Sequence, residues 1–217
     1  MTDADDATDH AEAGRLLFAR PAEFVLGAAR LEQLPAGDRA EVCVAGRSSV
    51  GKSSLINALT GQKIARASNT PGRTQQLNYF ALSHPQVTDL YLVDLPGYGF
   101  AQAPVKEVER WQGVLRAYLQ GRASLRRCYL LIDSRHGLKA VDLDIMGMLD
   151  VAAVSYQIVL TKVDKLKAGA LATTVEATRT AIAKRPAAFP ELLVTSAEKG
   201  IGIAELRAAI ARVATEG

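Results

Sequence analysis

The segment "GRSSVGKS" at residues 46–53 has the residue types and spacing of a phosphate-binding loop. Its glycines allow the backbone to wrap so that successive N–H groups point inward, and a helix starting there would present its positive end to an anion. Lys52 would neutralise the β- and γ-phosphates of a nucleotide, and the Ser53 hydroxyl would be a Mg²⁺ ligand. The predicted phosphate-binding residues are Gly46, Arg47, Ser48, Ser49, Val50, Gly51, Lys52 and Ser53.

A second segment, "DLPG" at residues 94–97, follows the apolar run "YLV". An aspartate at a strand end beside a phosphate loop commonly holds the metal through water, and the glycine N–H can contact a γ-phosphate. The alternative is an aspartate that only caps the turn, which the neighbouring phosphate loop disfavours. This second part of the predicted site comprises Asp94, Leu95, Pro96 and Gly97.

The segment "TKVD" at residues 161–164 indicates which base is bound. The Asp164 carboxylate can accept two hydrogen bonds from guanine N1–H and N2–H₂, whereas adenine has no such donor pair and would leave the charge unpaired. The methylene stem of Lys162 would lie along the base, and the Ala197 N–H would reach guanine O6. A guanine site is therefore predicted instead of an ATP site, with Thr161, Lys162, Val163, Asp164, Thr195, Ser196 and Ala197.

The order of apolar patterns predicts the elements that position these motifs. Strand-like runs lie at 40–46, 76–82, 88–95, 127–133, 156–162 and 191–196, and helix-like segments at 52–60, 104–121, 140–151, 167–184 and 203–214. Only "SHPQV" separates the second and third strands, which suits a hairpin, and helices separate the others. We predict a three-layer α/β domain with helices on both faces of a mostly parallel six-stranded sheet that has one antiparallel strand. The motifs then fall at the carboxyl ends of strands, where such sheets bind ligands.

Length and composition favour one domain of 217 residues in the cytoplasm, without a signal peptide or membrane span. Residues 1–12 hold five acidic residues and no Lys or Arg, so we expect a disordered acidic tail over 1–14 and the folded domain over 15–217. The remaining chain has 26 basic and 18 acidic residues, a net charge of about +8. This excess favours a polyanionic partner such as RNA. The two cysteines are expected to be reduced core thiols.

With these motifs in this order, the chain resembles the TRAFAC-class bacterial GTPases and, more narrowly, the EngB family of ribosome-assembly GTPases. The resemblance spans residues 18–212 and is carried by "TPGRTQQLNYF" (70–80), "DLPGYGFA" (94–101), "WQGVLRAYLQGRASLR" (111–126) and "LLIDSRHGLKAVD" (131–142). The first two look like that family's first and second switches. The resemblance implies that Thr74 is the magnesium-binding threonine, with Thr70 as the competing candidate. It adds Gly72, Arg73, Gln75 and Gln76 to the nucleotide site.

The resemblance also implies the activity and the partners. Members hydrolyse GTP to GDP and phosphate with Mg²⁺, act in late maturation of the large ribosomal subunit, and are needed for normal cell division and septation. We expect no membrane or DNA partner, and a monomer. The alternative is a nucleotide-gated binding module with incidental GTP turnover, acting on a protein partner in cell division.

Two positions depart from the patterns of related GTPases. The EngB family usually has asparagine where this chain has Ser49, and in related GTPases that asparagine helps hold a stimulating K⁺, so Ser49 weighs against potassium stimulation. Tyr98 stands where signalling GTPases place a water-orienting glutamine. We therefore assign catalysis to charge stabilisation and positioning by Lys52, Thr74 and Gly97, and expect slow turnover that a partner stimulates.

Overall fold

The computed structural model describes residues 2–66, 75–99 and 104–216. The helices in these ranges are α1 (Asp3–Ala19), α2 (Lys52–Thr60), α3 (Val105–Gly121), α4 (Ala140–Ala152), α5 (Ala168–Ile182) and α6 (Ile203–Thr215). The strands are β1 (Glu23–Ala28), β2 (Ala40–Gly46), β3 (Leu77–His84), β4 (Thr88–Asp94), β5 (Leu125–Asp133), β6 (Tyr156–Thr161) and β7 (Leu193–Val194). Across those three ranges, no helix is both long and apolar enough to cross a membrane.

The described strands form one sheet in the order β1-β3-β4-β2-β5-β6-β7. The strand β3 is antiparallel to both of its neighbours, and the other neighbouring pairs are parallel. The three-layer α/β fold with one antiparallel strand is thus confirmed, but the expected strand number of six is wrong. The additional strand is β1, an edge strand whose first three residues are exposed. Its sequence lacks the alternation of apolar and polar residues that predicts a strand.

The strand β2 lies at the centre of the sheet and connects the two halves of the core. Val42 and Val44 face a cluster that α1, α2 and α6 cover, whereas Cys43 and Ala45 face a cluster under α3, α4 and α5. Both faces are buried, which explains why this strand is a continuous apolar run in the sequence. Cys43 and its register partner Cys128 are buried free thiols, as expected.

The structure places residues 3–14 in helix α1, where the sequence predicts a disordered tail over 1–14. A capping box begins the helix: the Asp5 N–H donates a hydrogen bond to Thr2 Oγ1, and the Thr2 N–H donates one to Asp5 Oδ2. The acidic residues of the first turn interact favourably with the positive end of the helix. The acidic composition that predicts disorder is here a set of helix-starting residues.

Helix α1 is anchored by few residues of its second half. Leu17 and Phe18 are buried in the core. Gly14 lies so close to α6 that a Cβ atom built on it would be 2.6 Å from the Ala208 backbone nitrogen. Two buried apolar side chains and one close backbone approach therefore dock a helix whose average composition is polar.

Candidate nucleotide site

The phosphate-loop segment connects the end of β2 to the start of α2. Gly51 has a φ of 97°, a left-handed conformation that favours glycine, and Ser49 has a φ of 67°. A Cβ atom on Gly46 would lie 2.7 Å from Val50 Cγ1, so the loop folds tightly back on its own first residue. Gly46 and Gly51 thus stand where the loop needs close approach and a left-handed backbone, whereas Ser49 adopts that backbone without glycine.

Two charged groups meet beside this loop. Lys52, the first residue of α2, donates a hydrogen bond to Asp94, the last residue of β4. The strands β2 and β4 are parallel neighbours with Val44 opposite Asp94, which brings the two motifs together. Burial raises the pKa of Asp94, and the Lys52 ammonium offsets that rise only in part. Ser53 lies one residue further along α2 and lines the same groove.

The segment after β4 continues alongside the loop. The Ser48 N–H donates a hydrogen bond to the Tyr98 carbonyl (2.9 Å), and the Tyr98 N–H donates one to the Gly46 carbonyl (3.2 Å). A Cβ atom on Gly97 would lie 3.3 Å from Ser48 Cα, so only glycine fits this approach without displacement. The Tyr98 hydroxyl donates to Asp142 Oδ1 at 2.7 Å inside the protein. It is therefore engaged away from any attacking water.

The predicted base-binding segment is tied directly to the phosphate loop. The Thr161 hydroxyl donates a hydrogen bond to the Val50 carbonyl at 2.7 Å. Lys162 has a φ of 58°, and its ammonium donates to the Ser49 carbonyl at 2.8 Å. These two contacts fix the distance between the segments across 111 and 113 positions of sequence.

Asp164 is held by the segment that follows β7. Ser196 Oγ donates a hydrogen bond to Asp164 Oδ1 at 2.7 Å and, with a smaller contribution from Lys165, lowers the pKa of this carboxyl. Thr195 donates from both its N–H (2.7 Å) and its hydroxyl (2.9 Å) to the Leu160 carbonyl. The two predicted halves of the base site are therefore adjacent, and Asp164 remains ionised near neutral pH.

Sequence reasoning missed Asp133, the last residue of β5, as part of this site. Burial alone raises its pKa, but hydrogen bonds from Arg135 and the charge of Lys162 outweigh that effect and lower it to about 2. Arg135 Nη2 lies 2.8 Å and Lys162 Nζ 3.3 Å from Asp133 Oδ2, so the carboxylate orients Lys162. The available signal was an acidic residue ending the apolar run "YLLI", as Asp94 ends "YLV".

One groove at the carboxyl edge of the sheet collects most of the predicted phosphate-site residues. Its lining includes residues 47–53, Gln75, Gln76, residues 94–97 and Lys162. Thr70, Gly72, Arg73 and Thr74 lie outside the described residues. In the part of the chain that is described, no group of three or more His, Cys, Asp or Glu side chains could hold a metal ion. Any Mg²⁺ there needs ligands beyond such a group, such as hydroxyl and phosphate oxygens.

Comparison with known proteins identifies the family. The model of a family described as "50S ribosome-binding GTPase" matches residues 41–162. The "Probable GTP-binding protein EngB" of Ruegeria pomeroyi is 60% identical over 204 residues, covering 94% of this chain and 92% of that protein. The protein of the same name in Caulobacter vibrioides is 55% identical over 211 residues, covering 97% and 90%. The chain belongs to the EngB family of GTP-binding proteins. As an EngB protein it is a GTPase.

Solved structures resemble the EngB fold described above. A crystal structure of a probable GTP-binding protein engB is 24% identical, with a TM-score of 0.63 over 82% of this chain and all of that one. A single-residue variant of Aquifex aeolicus Era, bound to GDP·AlF₄⁻, is 21% identical, with a TM-score of 0.66 over 82% of this chain and 57% of Era. At these identities the likeness shows the shared GTPase fold.

Proposed function

We propose that this EngB protein acts in the cytoplasm as a monomer, binds GTP and GDP with Mg²⁺ in the described groove, and switches late steps of large-subunit assembly. Normal cell division and septation would depend on that switch. The observation that carries the proposal is the pair of hydrogen bonds from Thr161 to the Val50 carbonyl and from Lys162 to the Ser49 carbonyl. They couple a phosphate-binding loop to a base-binding loop at a fixed spacing, as a nucleotide requires.

The phosphate end is proposed to work by charge and position. Lys52 begins α2 at the phosphate loop, so its ammonium, which contacts Asp94, would neutralise the β- and γ-phosphates of a bound nucleotide. Mg²⁺ would supply positive charge at those phosphates, held by the hydroxyls of Ser53 and Thr74, with Asp94 acting through water. These are the oxygen ligands that Mg²⁺ prefers. The backbone N–H groups of the loop and of Gly97 would complete the stabilisation of developing charge.

Slow intrinsic turnover follows from the absence of a free proton acceptor among the described switch residues. The Tyr98 hydroxyl is bonded to Asp142, and Asp94 would be engaged with the water that binds Mg²⁺. Hydrolysis then relies on positioning, and a partner accelerates it. Ser49 weighs against K⁺ as that accelerator, because its short side chain offers a hydroxyl where the asparagine of the family offers an amide oxygen.

The base end is proposed to select guanine through Asp164. Its carboxylate accepts one hydrogen bond from Ser196, leaving lone pairs for guanine N1–H and N2–H₂. The Lys162 stem passes close to the loop, since a Cβ atom on Gly51 would lie 3.4 Å from Lys162 Cε. Val163 and Thr195 hold this segment in place, and Ala197 offers its N–H to guanine O6.

The ribosomal part of the proposal has three supports. The matching family is described as ribosome-binding, and outside residues 1–12 the chain carries a net charge of about +8 from 26 basic and 18 acidic residues. A fold neighbour, Era, was solved with MgGDPNP and nucleotides 1506–1542 of 16S ribosomal RNA, at 24% identity and a TM-score of 0.66. Contacts to RNA phosphates weaken steeply with salt, which provides a signature.

The test is co-sedimentation with purified large and small ribosomal subunits, comparing GDP with a non-hydrolysable GTP analogue across a salt series. We expect binding to the large subunit only with the analogue, weakening as salt rises. K52A should abolish the nucleotide dependence, and K63A, which changes an exposed lysine outside the groove, should not. If no subunit binds in any state, the ribosomal assignment is wrong and a protein partner becomes the better hypothesis.

A further inference from the structure

The carboxylate of Asp142 is completely buried in the first turn of α4, and the nucleotide chemistry above does not use it. Its Oδ1 accepts the Tyr98 hydroxyl at 2.7 Å, and its Oδ2 accepts the Lys139 N–H at 2.8 Å. Arg47 Nε lies 3.7 Å from Oδ2. We refer to Asp142, Tyr98 and Arg47 as the Asp142 cluster.

The members of the Asp142 cluster come from three different elements. Arg47 belongs to the phosphate loop, Tyr98 follows Gly97 after β4, and Asp142 belongs to α4. Main-chain hydrogen bonds also connect Tyr98 to Gly46 and Ser48 of the loop. Tyr98 follows Gly97, the predicted γ-phosphate contact. Its backbone is bonded to the phosphate loop, and its side chain is bonded to α4.

We propose that Asp142 is a positioning residue, which acts through Tyr98 to keep the Gly97 N–H against the phosphate loop in the arrangement that receives a γ-phosphate. This inference rests on the nucleotide site proposed above. A buried carboxylate is costly to leave without its partners, so the cluster strongly prefers one arrangement. Only GTP contacts Gly97 through a γ-phosphate, so the cluster favours GTP over GDP. A ligand shifts such an equilibrium by its difference in affinity for the two arrangements.

The same fold contains a matched control. Tyr118 is a buried tyrosine whose hydroxyl donates to a buried carboxylate, Glu41 Oε2, at 3.1 Å. It packs at the end of α3, and Glu41 lies near the amino end of β2, whereas the nucleotide groove is at the carboxyl end. Y98F and Y118F therefore each remove one hydroxyl bonded to a buried carboxylate, at opposite edges of the sheet.

The experiment measures the affinities of the full chain for fluorescent GDP and for a fluorescent non-hydrolysable GTP analogue, both with Mg²⁺. We expect Y98F to lower the ratio of GTP-analogue affinity to GDP affinity by about three- to tenfold, the net effect of one ordinary hydrogen bond. Y118F should leave the ratio unchanged. D142N keeps the size of the side chain, should also lower the ratio, and gives the measurement if Y98F does not fold.

The result that overturns the inference is an unchanged or raised ratio in Y98F and D142N, or an equal fall in Y118F. Absence of guanine-nucleotide binding by the wild-type chain would overturn the proposed nucleotide site and this inference together. A ratio that falls in Y98F and D142N but not in Y118F supports the inference, even if the protein does not co-sediment with the large subunit. The two proposals can therefore fail separately.

Discussion

Two fully buried carboxylates lie at opposite edges of the sheet, and each faces tyrosine and arginine. At the amino edge, Glu41 accepts hydrogen bonds from the hydroxyls of Tyr79 and Tyr118, both at 3.1 Å, and from two nitrogens of Arg122. At the carboxyl edge, Asp142 has one tyrosine and an arginine 3.7 Å away. The first set joins core elements, whereas the second set joins the phosphate loop to the segment after β4. Similar chemistry therefore serves structure at one edge and, we infer, the nucleotide response at the other.

The largest effect that separates the two edges is expected for E41A. Four hydrogen bonds are lost, and the guanidinium of Arg122 stays largely buried without its counter-charge. Removing one partner of a buried ion pair costs about 3–5 kcal/mol, and we expect that decrease in the free energy of unfolding. Urea denaturation measures it. E216A removes a half-exposed glutamate and should change stability little. If the free energy of unfolding fell as little in E41A as in E216A, the structural role assigned to Glu41 would be wrong.

D142A should destabilise the fold less but alter nucleotide preference more. It removes hydrogen bonds from the Tyr98 hydroxyl and the Lys139 N–H, while Arg47 keeps 20% of its side chain exposed and can be solvated. We expect a decrease of about 1–3 kcal/mol in the free energy of unfolding. The affinity ratio of GTP analogue to GDP should fall in D142A and stay constant in E41A, with both measured below their unfolding transitions. If the ratio fell in E41A and stayed constant in D142A, the distinction between the two edges would be wrong.

Acid titration separates two carboxylates within the carboxyl edge. Hydrogen bonds from Arg135 hold the pKa of Asp133 at about 2, below its unfolded value, so this group stabilises the fold above about pH 4 and loses that contribution as pH falls towards 2. The contribution of Asp94 to stability has the opposite pH dependence. Because its pKa is raised in the folded state, its protonation on acidification favours the fold.

The corresponding variant is D133N. One pKa unit is about 1.4 kcal/mol, and solvent around the half-exposed Arg135 screens part of the interaction, so we expect a loss of about 1–2 kcal/mol near neutral pH. Urea denaturation of D133N and wild type at several pH values tests this. Their stabilities should converge on acidification, and a constant difference down to pH 2 would show that Asp133 contributes through something other than its charge.

The sequence predicted best those elements that contain their own signals. The bounds of β2 and α2 agree with the predicted 40–46 and 52–60, because glycines and an apolar run fix both ends locally. The predicted strand at 191–196 shortens to β7, since only Leu193 and Val194 pair with β6. That boundary depends on a neighbouring strand and is not encoded nearby.

Contacts between distant segments explain the remaining misses. Asp142 bonds to Tyr98, which is 44 positions away. Nothing in the segment "AVDLD" indicates that its first aspartate, Asp142, is buried. Asp133 gains its role only when β5 and β6 lie side by side. The edge strand β1 is recognisable through its pairing with β3, where Gly27 lies against the Gln76 side chain. The motifs thus locate the nucleotide groove, while the buried charges that support it require the fold.

The smallest expected effect concerns solvated carboxylates, which contrast with both buried ones. In α1, Asp5 is exposed and bonds to Thr2, so T2A should weaken the start of this helix locally and leave the two buried clusters unchanged. Amide hydrogen exchange of the first turn should accelerate by about three- to tenfold, with the midpoint of urea unfolding nearly constant. T8A, which removes a hydroxyl bonded within the same helix, is the control.

If residues 3–14 exchange at unprotected rates in the wild-type chain, the acidic segment is disordered in solution. The capping box would then have no energetic role, and composition alone would have described that segment correctly.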